Sequence, residues 1–566
     1  MLAAIVILIG VVVVSKVLRH MLAVVVMSMA VVFAFAIAPG TARAADTGAI
    51  TVDGTVATRY DAYQLFSATV VDDADADQKV ATDVAWANDT VRQAALPVLH
   101  DAGLDNSAST AQEAAEWMNA DGHMTTTLAA KLARAIYNAG APSVALNAGT
   151  TAELPCGYWL IVADDDAISQ GEVGTAPIMA LVGGSAATVK PKAATPKVAK
   201  HVLEDSTAAW QKAADATVAD DLYWRLSATV PAGLTAYDTY TVRFVDTMSA
   251  GLDPSKVAAS MRVYVAAGAD GGFDAVQTGK DGRAGTDPAK GWTDITAQCA
   301  TKVAADGTFT VRTGDLIAAL GGADAFTAGA RVVAVYNAPL NSACNHGIAK
   351  GNPNEVYLRY PRSPFADQSG DAGFTRTPSD DACAYTWDLA LTKRGSDGDK
   401  PLAGAVLSIT DDRGRTLAAD GTWDVEGKAT VTTGEDGRVT VSSVDSGKLE
   451  VRELKAPKGY TAFEGTRSVT VKAEGLDVDQ VAAAKPKLTI TAESPLRADS
   501  ADGSTGSLEA SLINAPTGTP PSITTGGFMP STGDMAMYAA AAAAVAGAAL
   551  IVVALLVKRG GGSHKE

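Results

Sequence analysis

The sequence predicts a mainly β protein made of tandem immunoglobulin-like β-sandwiches, with one helical insertion and an apolar segment at each end. Short runs that alternate apolar with polar residues recur through the central part, for example over residues 241–246, 355–360 and 438–443. Glycine, aspartate and proline separate these runs, a pattern typical of antiparallel strands and their turns. A chain of 566 residues is too long for one hydrophobic core, so roughly three or four modules are expected.

Acidic residues outnumber basic ones, with 63 Asp and Glu against 46 Lys and Arg and a formal net charge of −17. Nucleic-acid binding depends on clustered Lys and Arg side chains that displace counterions from phosphates, and the sequence holds no such cluster. We therefore expect no nucleic-acid partner. The acidic balance suits a solvated surface outside the cell.

The N-terminal end is typical of an export signal. Two apolar runs flank a short basic stretch, and the second run leads to small residues at Ala42 and Ala44. These small residues predict cleavage after Ala44, which makes residues 1–44 a secretory segment. The true start, at Met1 or Met21, is left open, and a permanent N-terminal anchor is the alternative.

The C-terminal end predicts a transmembrane helix. Residues 535–557 carry no charge, and 23 residues at about 1.5 Å each span about 34 Å, enough to cross a bilayer. Lys558 and Arg559 follow at once, so residues 558–566 are expected to stay in the cytoplasm as a basic tail.

The motif Met529-Pro530-Ser531-Thr532-Gly533 precedes this apolar span. Motif, span and basic tail together resemble the LPXTG-type cell-wall sorting signal of Gram-positive surface proteins, with Met in the place of Leu. The resemblance implies that a sortase cleaves between Thr532 and Gly533 and passes the Thr532 carbonyl to an amine. The protein would then be a sortase substrate that loses its span. A plain C-terminal membrane anchor is the alternative.

The chain between the two ends divides at polar, proline-containing stretches. Helical periodicity over about residues 85–138 interrupts the strand pattern of the first module. The predicted segments are the signal segment 1–44, an N-terminal β domain 45–189 with the helical insertion, a linker 190–197, a middle β domain 198–362, a linker 363–383, a C-terminal β domain 384–516, a spacer with the sorting motif 517–534, the transmembrane helix 535–557 and the tail 558–566.

The C-terminal module carries three motifs in order: a strand that ends near Lys393, the stretch 448–460 around Glu453, and a last strand that ends in Asn514. This order resembles the collagen-adhesin B-type domains of Gram-positive surface proteins. The resemblance implies that Lys393 and Asn514 form an internal isopeptide bond, with Glu453 as the assisting acid. Burial favours such a reaction, because desolvation disfavours the ammonium form and a neutral amine is a nucleophile. The alternative is an exposed lysine, a surface ion pair and a capping asparagine.

The middle module repeats this pattern with Lys200, with Asp246 at the end of a strand, and with Asn354 or its neighbour Asn352. It resembles the middle domain of backbone pilins, in which a Lys, an Asp and an Asn from such positions form the bond. The spacing does not decide between the two asparagines, and absence of the bond is the alternative. No such set is evident in the first module.

Residues 187–192, between the first two modules, resemble the pilin motif VxVYPK of sortase-assembled pili, with Lys190 in the place of Tyr. The resemblance implies that Lys192 is the amine that accepts the Thr532 acyl group of the next subunit. Lys190 and Lys197 are local competitors, and an ordinary lysine-rich linker is the alternative.

Four cysteines, Cys156, Cys299, Cys344 and Cys383, lie in a chain expected to be exported, where disulfides are permitted. Cys299 and Cys344 are the expected pair because both belong to the middle module, and buried thiols are the alternative. No His or Cys spacing indicates zinc, and no nucleophile elbow, phosphate loop or metalloprotease motif is present. We therefore expect no metal, no cofactor and no enzymatic turnover.

Together these features predict a backbone pilin, the structural shaft subunit of a wall-anchored pilus on a Gram-positive bacterium. A pilus-type sortase would join subunits through Lys192–Thr532 bonds, and a housekeeping sortase would attach the base to peptidoglycan. The expected partners are the two sortases, other copies of the chain, peptidoglycan and a host surface ligand. The alternative is a monomeric wall-anchored adhesin or minor pilin that binds a host protein or glycan.

Overall fold

A computed structural model describes residues 47–518 except 74–77, 121, 170, 175, 192–194, 219, 233–235, 280–282, 327 and 367. The predicted signal segment, Lys192, the sorting motif with Pro530, Thr532 and Gly533, the transmembrane helix and the tail lie outside the described residues. Within the described part, no helix is long and apolar enough to span a bilayer.

Strands dominate the described chain and confirm the mainly β prediction. The first unit contains a three-stranded sheet of order β5-β1-β8 and a five-stranded sheet of order β3-β2-β6-β7, with β4 also paired to β2. Its strands are β1 Thr47–Val52, β2 Arg59–Asp73, β3 Gln78–Trp86, β4 Val144–Asn147, β5 Thr151–Pro155, β6 Gly157–Ala163, β7 Ile178–Val182 and β8 Ala187–Val189.

The predicted helical insertion is confirmed as three helices between β3 and β4: α1 Asp89–Asp101, α2 Ala111–Asn119 and α3 Thr126–Asn138. Each begins at a side chain that satisfies a free backbone N–H. Asn88 and Thr125 accept bonds from backbone N–H groups in the first turns of α1 and α3. Thr110 and Glu113 form a reciprocal capping box at α2. The helices pack against one face of the five-stranded sheet, and the three-stranded sheet covers the other face.

The middle unit is a sandwich of two larger sheets. One has the order β10-β9-β12-β20-β14-β17, and the facing one has the order β11-β23-β21-β13-β19-β18 with β22 on β21. A separate hairpin pairs β15 with β16. The elements are β9 Lys197–Glu204, β10 Ala209–Gln211, β11 Ala213–Asp215, β12 Tyr223–Val230, β13 Arg243–Met248, α4 Val257–Ser260, β14 Arg262–Ala267, β15 Val276–Thr278, β16 Ala284–Pro288, β17 Thr293–Asp294, β18 Ala300–Val303, β19 Thr308–Arg312, α5 Leu316–Ala319, α6 Ala323–Phe326, β20 Ala330–Asn337, β21 Asn352–Pro361, β22 Phe374–Arg376 and β23 Asp380–Tyr385.

The stretch 363–383 corrects the sequence interpretation, which made it a linker. Strand β22 and the first part of β23 lie in this stretch and pair with β21 in the middle unit. They join the sheet because they bury apolar groups, including Phe374 and Ala382, despite the many polar residues around them.

The C-terminal unit is a second sandwich. A four-stranded sheet of order β29-β24-β34-β33 faces a sheet of order β27-β26-β25-β30-β31-β32, with β28 on β25. Its strands are β24 Trp387–Gly395, β25 Val406–Thr410, β26 Thr416–Leu417, β27 Trp423–Asp424, β28 Val431–Thr432, β29 Arg438–Val444, β30 Gly447–Lys455, β31 Thr466–Glu474, β32 Lys487–Ala492, β33 Leu496–Asp502 and β34 Ser507–Asn514.

Buried polar contacts join the middle and C-terminal units. Asp215 Oδ2 accepts hydrogen bonds from Trp387 Nε1 at 2.7 Å and from the Ser446 backbone N–H at 3.0 Å. Glu204 lies beside it, with Oε2 accepting from the Asp215 backbone N–H at 3.1 Å. Burial, with the Asp215 charge nearby, raises the pKa of Glu204 to about 8, and burial also raises the pKa of Asp215. The two carboxyl groups are therefore most compatible when at least one is protonated.

We expect this pair to make the junction pH-dependent. A carboxyl group whose pKa is raised by folding stabilises the folded state at low pH, and that stabilisation is lost as pH rises through its folded pKa. Between about pH 5 and pH 9, Glu204→Gln should therefore gain thermal stability relative to the unaltered chain, by roughly 2–4 °C in Tm for each kcal/mol of relieved repulsion. Calorimetry across this range is the measurement, with the exposed Glu464→Gln as control. Parallel Tm curves for all three proteins would contradict the expectation.

Candidate functional site

Three residues predicted from the C-terminal motifs meet inside the second sandwich. Alternate residues of β24 point inward, and this alternation puts Lys393 on the same face as the buried Leu389 and Leu391. Asn514 is the last inward residue of β34, which runs parallel to β24 as its neighbour. Glu453 extends from β30 in the facing sheet. The first and last strands of the unit thus lie side by side, with an acid opposite them.

The contacts place Glu453 between the other two side chains. Its Oε1 lies 3.4 Å from Lys393 Nζ, and Asn514 Nδ2 donates to Oε1 and Oε2 at 2.9 and 3.0 Å. The Phe463 backbone N–H also donates to Oε2, at 3.1 Å. Asn514 Oδ1 is buried and accepts no hydrogen bond from the described residues. The carboxyl group therefore holds the amide in one orientation and leaves its carbonyl oxygen unoccupied.

Burial changes the charge state that Lys393 favours. Its side chain is fully enclosed, and this desolvation lowers its pKa to about 8, while the nearby Glu453 partly opposes the effect. A fraction of the amine is consequently neutral near pH 8, and a neutral amine carries the lone pair that a nucleophile needs. The bland alternative of an exposed lysine in a surface ion pair does not describe this site.

A second cluster spans the middle sandwich. Lys200 on β9 and Tyr336 on β20 extend from one sheet, and Asp246 on β13 and Asn354 on β21 extend from the facing sheet. All four are completely buried. Lys200 Nζ contacts Asp246 Oδ2 directly and donates to the Tyr336 hydroxyl at 2.9 Å. Asn354 Nδ2 donates to the same hydroxyl, also at 2.9 Å.

Tyr336 is the member of this cluster that the sequence analysis missed. Its hydroxyl accepts from Lys200 and Asn354 and donates to Asp246 Oδ2 at 3.2 Å, so it bridges the other three side chains. In sequence it stands at the end of an apolar strand, where a tyrosine looks the same as an ordinary core aromatic residue. Its hydroxyl gains a role only from its partners in the fold, Lys200 on its own sheet and Asp246 and Asn354 on the facing sheet.

Enclosure shifts both charged groups of the middle cluster. Desolvation lowers the pKa of Lys200 to about 8, although Asp246 partly opposes this shift. Desolvation also raises the pKa of Asp246 to about 6, against the opposing effect of Lys200. Proton exchange between the two groups is therefore easier than between a lysine and an aspartate in water.

The two candidate asparagines of the middle unit have different surroundings. Asn352 Oδ1 accepts from the Asn345 backbone N–H at 2.8 Å, and its Nδ2 donates to two backbone carbonyl groups. Its polar atoms are thus used in fixing a turn. Asn354 instead contacts the cluster through Tyr336, and its Oδ1 is buried without a hydrogen bond from the described residues. This geometry favours Asn354 over Asn352 as the partner of Lys200.

The expected pairing of Cys299 with Cys344 is wrong in this structure, where both are free thiols. Cys299 Sγ donates to the Ile295 carbonyl at 3.3 Å, whereas Cys344 Sγ lies 3.7 Å from His346 Nε2. Both residues belong to the middle sandwich, but each thiol contacts a group that is near it in sequence. Membership of the same module was therefore not enough to predict the pairing.

The lysines that flank the predicted acceptor are described. Lys190 is exposed and lies 3.4 Å from Asp53 Oδ2, and Lys197 is the exposed first residue of β9. Lys192 lies between them, outside the described residues, as do the sorting-motif residues. Their assigned roles therefore stay predictions.

Comparison with known proteins finds one family match, in the C-terminal unit. Residues 388–485 match the family described as the SpaA prealbumin-like fold domain. The matched range includes Lys393 and Glu453 and ends before Asn514.

Among curated proteins, the chain is similar to the trypsin-resistant surface T6 protein of Streptococcus pyogenes serotype M6, with 31% identity over 143 residues. The match spans 24% of this chain and 24% of the length of that relative. Among solved structures, the T6 backbone pilin of the same serotype has 16% identity and a TM-score of 0.45, and covers 84% of this chain and 99% of its own. The major pilin SpaD of Corynebacterium diphtheriae has 15% identity and a TM-score of 0.40, and covers 84% and 98%.

The buried charges of the middle cluster predict a difference in stability between a single and a double variant. In a chain whose Lys200 amine has not reacted, Asp246→Ala leaves a fully enclosed ammonium group without its carboxyl partner, and breaking a buried pair in this way costs about 3–5 kcal/mol. Adding Lys200→Met removes the stranded amine, so the double variant should be more stable than the single one. Urea unfolding measures the difference, and Asp287→Ala, on the exposed hairpin strand β16, is the control. A double variant less stable than Asp246→Ala would contradict this account of the pair.

Proposed function

We propose that the chain is the structural shaft subunit of a covalently polymerised, cell-wall-anchored pilus, and that internal Lys–Asn isopeptide bonds stabilise it. The observation that carries this proposal is the pair of buried lysine, acid and asparagine clusters, one in each of the two larger sandwiches. A polar set of this composition is costly to bury and contributes little to an ordinary core. A reaction between these side chains would explain why they are buried together.

The reaction at the C-terminal cluster is an amide exchange. The neutral Lys393 amine attacks Asn514 Cγ, the Nζ–Cγ bond forms, the Cγ–Nδ2 bond breaks, and ammonia leaves with the proton lost by the lysine. Glu453 lies against both nitrogens, which is where a group must be to take the proton from one and deliver it to the other. Holding the pair in a folded sandwich supplies the orientation that makes such a reaction feasible.

The middle cluster supports the same exchange between Lys200 and Asn354. Asp246 would have the role that Glu453 has in the C-terminal cluster. The Tyr336 hydroxyl contacts the lysine, the acid and the asparagine. Each of the two internal bonds would form only once in each chain. The assisting acids would thus act in a single event, so the protein would not be an enzyme in the sense of repeated turnover, and it would need no cofactor.

Polymerisation rests on the two sequence motifs. A pilus-type sortase would cleave between Thr532 and Gly533, with Pro530 as part of the recognised motif, and transfer the acyl group to Lys192 of another copy. A housekeeping sortase would attach the base to peptidoglycan. The similarity to a protein named for its surface location and trypsin resistance supports an exposed, protease-resistant product. The predicted signal, spacer and membrane span provide the matching route of export.

Internal bonds predict a specific mass deficit. Peptide mapping of the purified full chain should recover Lys393 joined to Asn514, and Lys200 joined to Asn354, each pair lighter than its separate peptides by one ammonia, about 17 Da. Glu453→Ala should abolish the first linkage and leave the second, whereas Glu450→Ala, a change at a half-buried position on the same strand that lies outside the cluster, should leave both. Tyr336→Phe should reduce only the middle linkage. Peptides from the unaltered chain that show no loss of ammonia would rule out the internal bonds.

Shaft assembly predicts a second, independent result. Wall extracts separated by denaturing electrophoresis should show a ladder of very high mass, because covalent polymers survive boiling in detergent. The ladder should vanish with Lys192→Ala and persist with Lys190→Ala and Lys197→Ala. A single band from every strain would instead support the alternative, a monomeric wall-anchored adhesin.

A further inference from the structure

A cleft with several arginines lies where the first unit meets the middle unit. Its walls come from β21 and β22 on one side and from the loop containing Ile168 and Ser169 on the other. The cavity holds about 410 Å³, within the range of roughly 300–1,000 Å³ that is usual for sites of small organic ligands. The volume is therefore larger than a single inorganic ion requires.

Three guanidinium groups line this cleft, from Arg359, Arg362 and Arg376. Such a concentration of positive charge is unexpected in a chain with a net charge of −17. Arg359 is paired with Asp371, but among the described residues Arg362 and Arg376 have no carboxylate oxygen within 4.0 Å. The guanidinium groups of Arg362 and Arg376 can therefore still bind an anion.

The surroundings of Arg362 and Arg376 hold them in place. Burial raises the pKa of the nearby Asp165 carboxyl group, and the Arg362 guanidinium partly opposes this shift. Arg362 Nη1 donates to the Asp165 backbone carbonyl at 3.0 Å, and the Arg376 guanidinium stands 5.1 Å from the centre of the Tyr357 ring. Neither contact supplies a full negative charge. Both leave donor groups of the fork available, and an arginine fork matches a planar or tetrahedral oxyanion.

Hydrogen bonds across the boundary fix the two walls. The Tyr360 hydroxyl donates to the Gly171 carbonyl at 2.6 Å, and the Gly171 N–H donates to Thr375 Oγ1 at 3.0 Å. The Gly174 N–H donates to the Arg362 carbonyl at 2.6 Å. A ligand would enter a site that is already formed, which lowers the entropic cost of binding.

We propose that this cleft binds an acidic saccharide, one whose sulfate or carboxylate groups meet Arg362 and Arg376. The Ser169 hydroxyl already donates to the Thr55 carbonyl at 3.4 Å and the Thr375 hydroxyl already accepts from Gly171, so Ser169 can still accept from, and Thr375 can still donate to, the ring hydroxyls of a sugar. A peptide is the less suitable occupant, because Phe374, an apolar lining residue, is nearly buried and its ring is covered by the Arg243 guanidinium at 4.1 Å. The cleft therefore lacks an open apolar pocket to anchor a side chain. This proposal is independent of sortase assembly and of the internal bonds.

The test is calorimetric titration of the purified full chain with a heparin-derived disaccharide that carries both sulfate and carboxylate groups. We expect binding that weakens with rising salt and falls at least about tenfold in Arg376→Gln and in Arg362→Gln, since hydrogen bonds between charged groups are the strong ones. Arg452→Gln, which removes an exposed arginine from β30, makes the same charge change in another unit and should leave affinity unaltered.

Comparison ligands separate the remaining explanations. The desulfated disaccharide should bind more weakly, and sodium sulfate alone should bind much more weakly than the sulfated disaccharide. Equal affinity for sulfate alone would mean a simple ion site, and tighter binding of a hexaglutamate peptide would mean a peptide site. Either result, or unchanged affinity in Arg376→Gln, would overturn the proposal. Arg376 is exposed, so its replacement keeps the test valid if Arg362→Gln does not fold.

Discussion

Desolvation of two lysine amines governs the chemistry available to the middle and C-terminal units. Lys200 and Lys393 are each completely enclosed between two sheets, where water no longer stabilises the ammonium form. Each therefore requires an acid within contact distance, and each acid in turn holds an asparagine amide directly or through Tyr336. The strand register that delivers these groups is inseparable from the hydrophobic core, because these polar side chains occupy inward positions of strands that otherwise bury apolar residues.

Burial of ionisable groups is also important at the junction of these two units, where the buried groups are two acids. Glu204 and Asp215 are buried together, and in the part of the chain that the structure describes no lysine forms an ion pair with either. The partners of Asp215 include Trp387 and Ser446 from the other unit. A buried acid pair of this kind favours a shared proton. The junction thus combines these polar contacts, which have strict geometric requirements, with apolar packing of Ala213 and Cys383 against the C-terminal core.

Local patterns in the sequence determine much of this structure and make those parts predictable. Period-two alternation located the strands, helical periodicity located the insertion, and ordered motifs identified Lys393, Glu453 and Asn514 before their distances were known. The role of Tyr336 is not predictable in this way, because it depends on which residues β9 and the facing sheet bring to its hydroxyl. Residues 363–383 were wrongly predicted as a linker, because the many polar residues around β22 and β23 concealed two strands that pair with β21. The cysteine pairing failed for a related reason, since sharing a module does not specify proximity.

The parallel pairing of β24 with β34 has a mechanical consequence. Tension applied through the residue before Trp387 and the residue after Asn514 pulls these neighbouring strands in opposite directions along their length, so their hydrogen bonds are loaded in shear and resist together. Lys393 lies near the far end of β24, close to where the chain leaves β34. With the proposed Lys393–Asn514 bond in place, force would pass along β24 to Lys393 and out through Asn514. The intervening chain, with nearly the whole C-terminal core, would then carry no load.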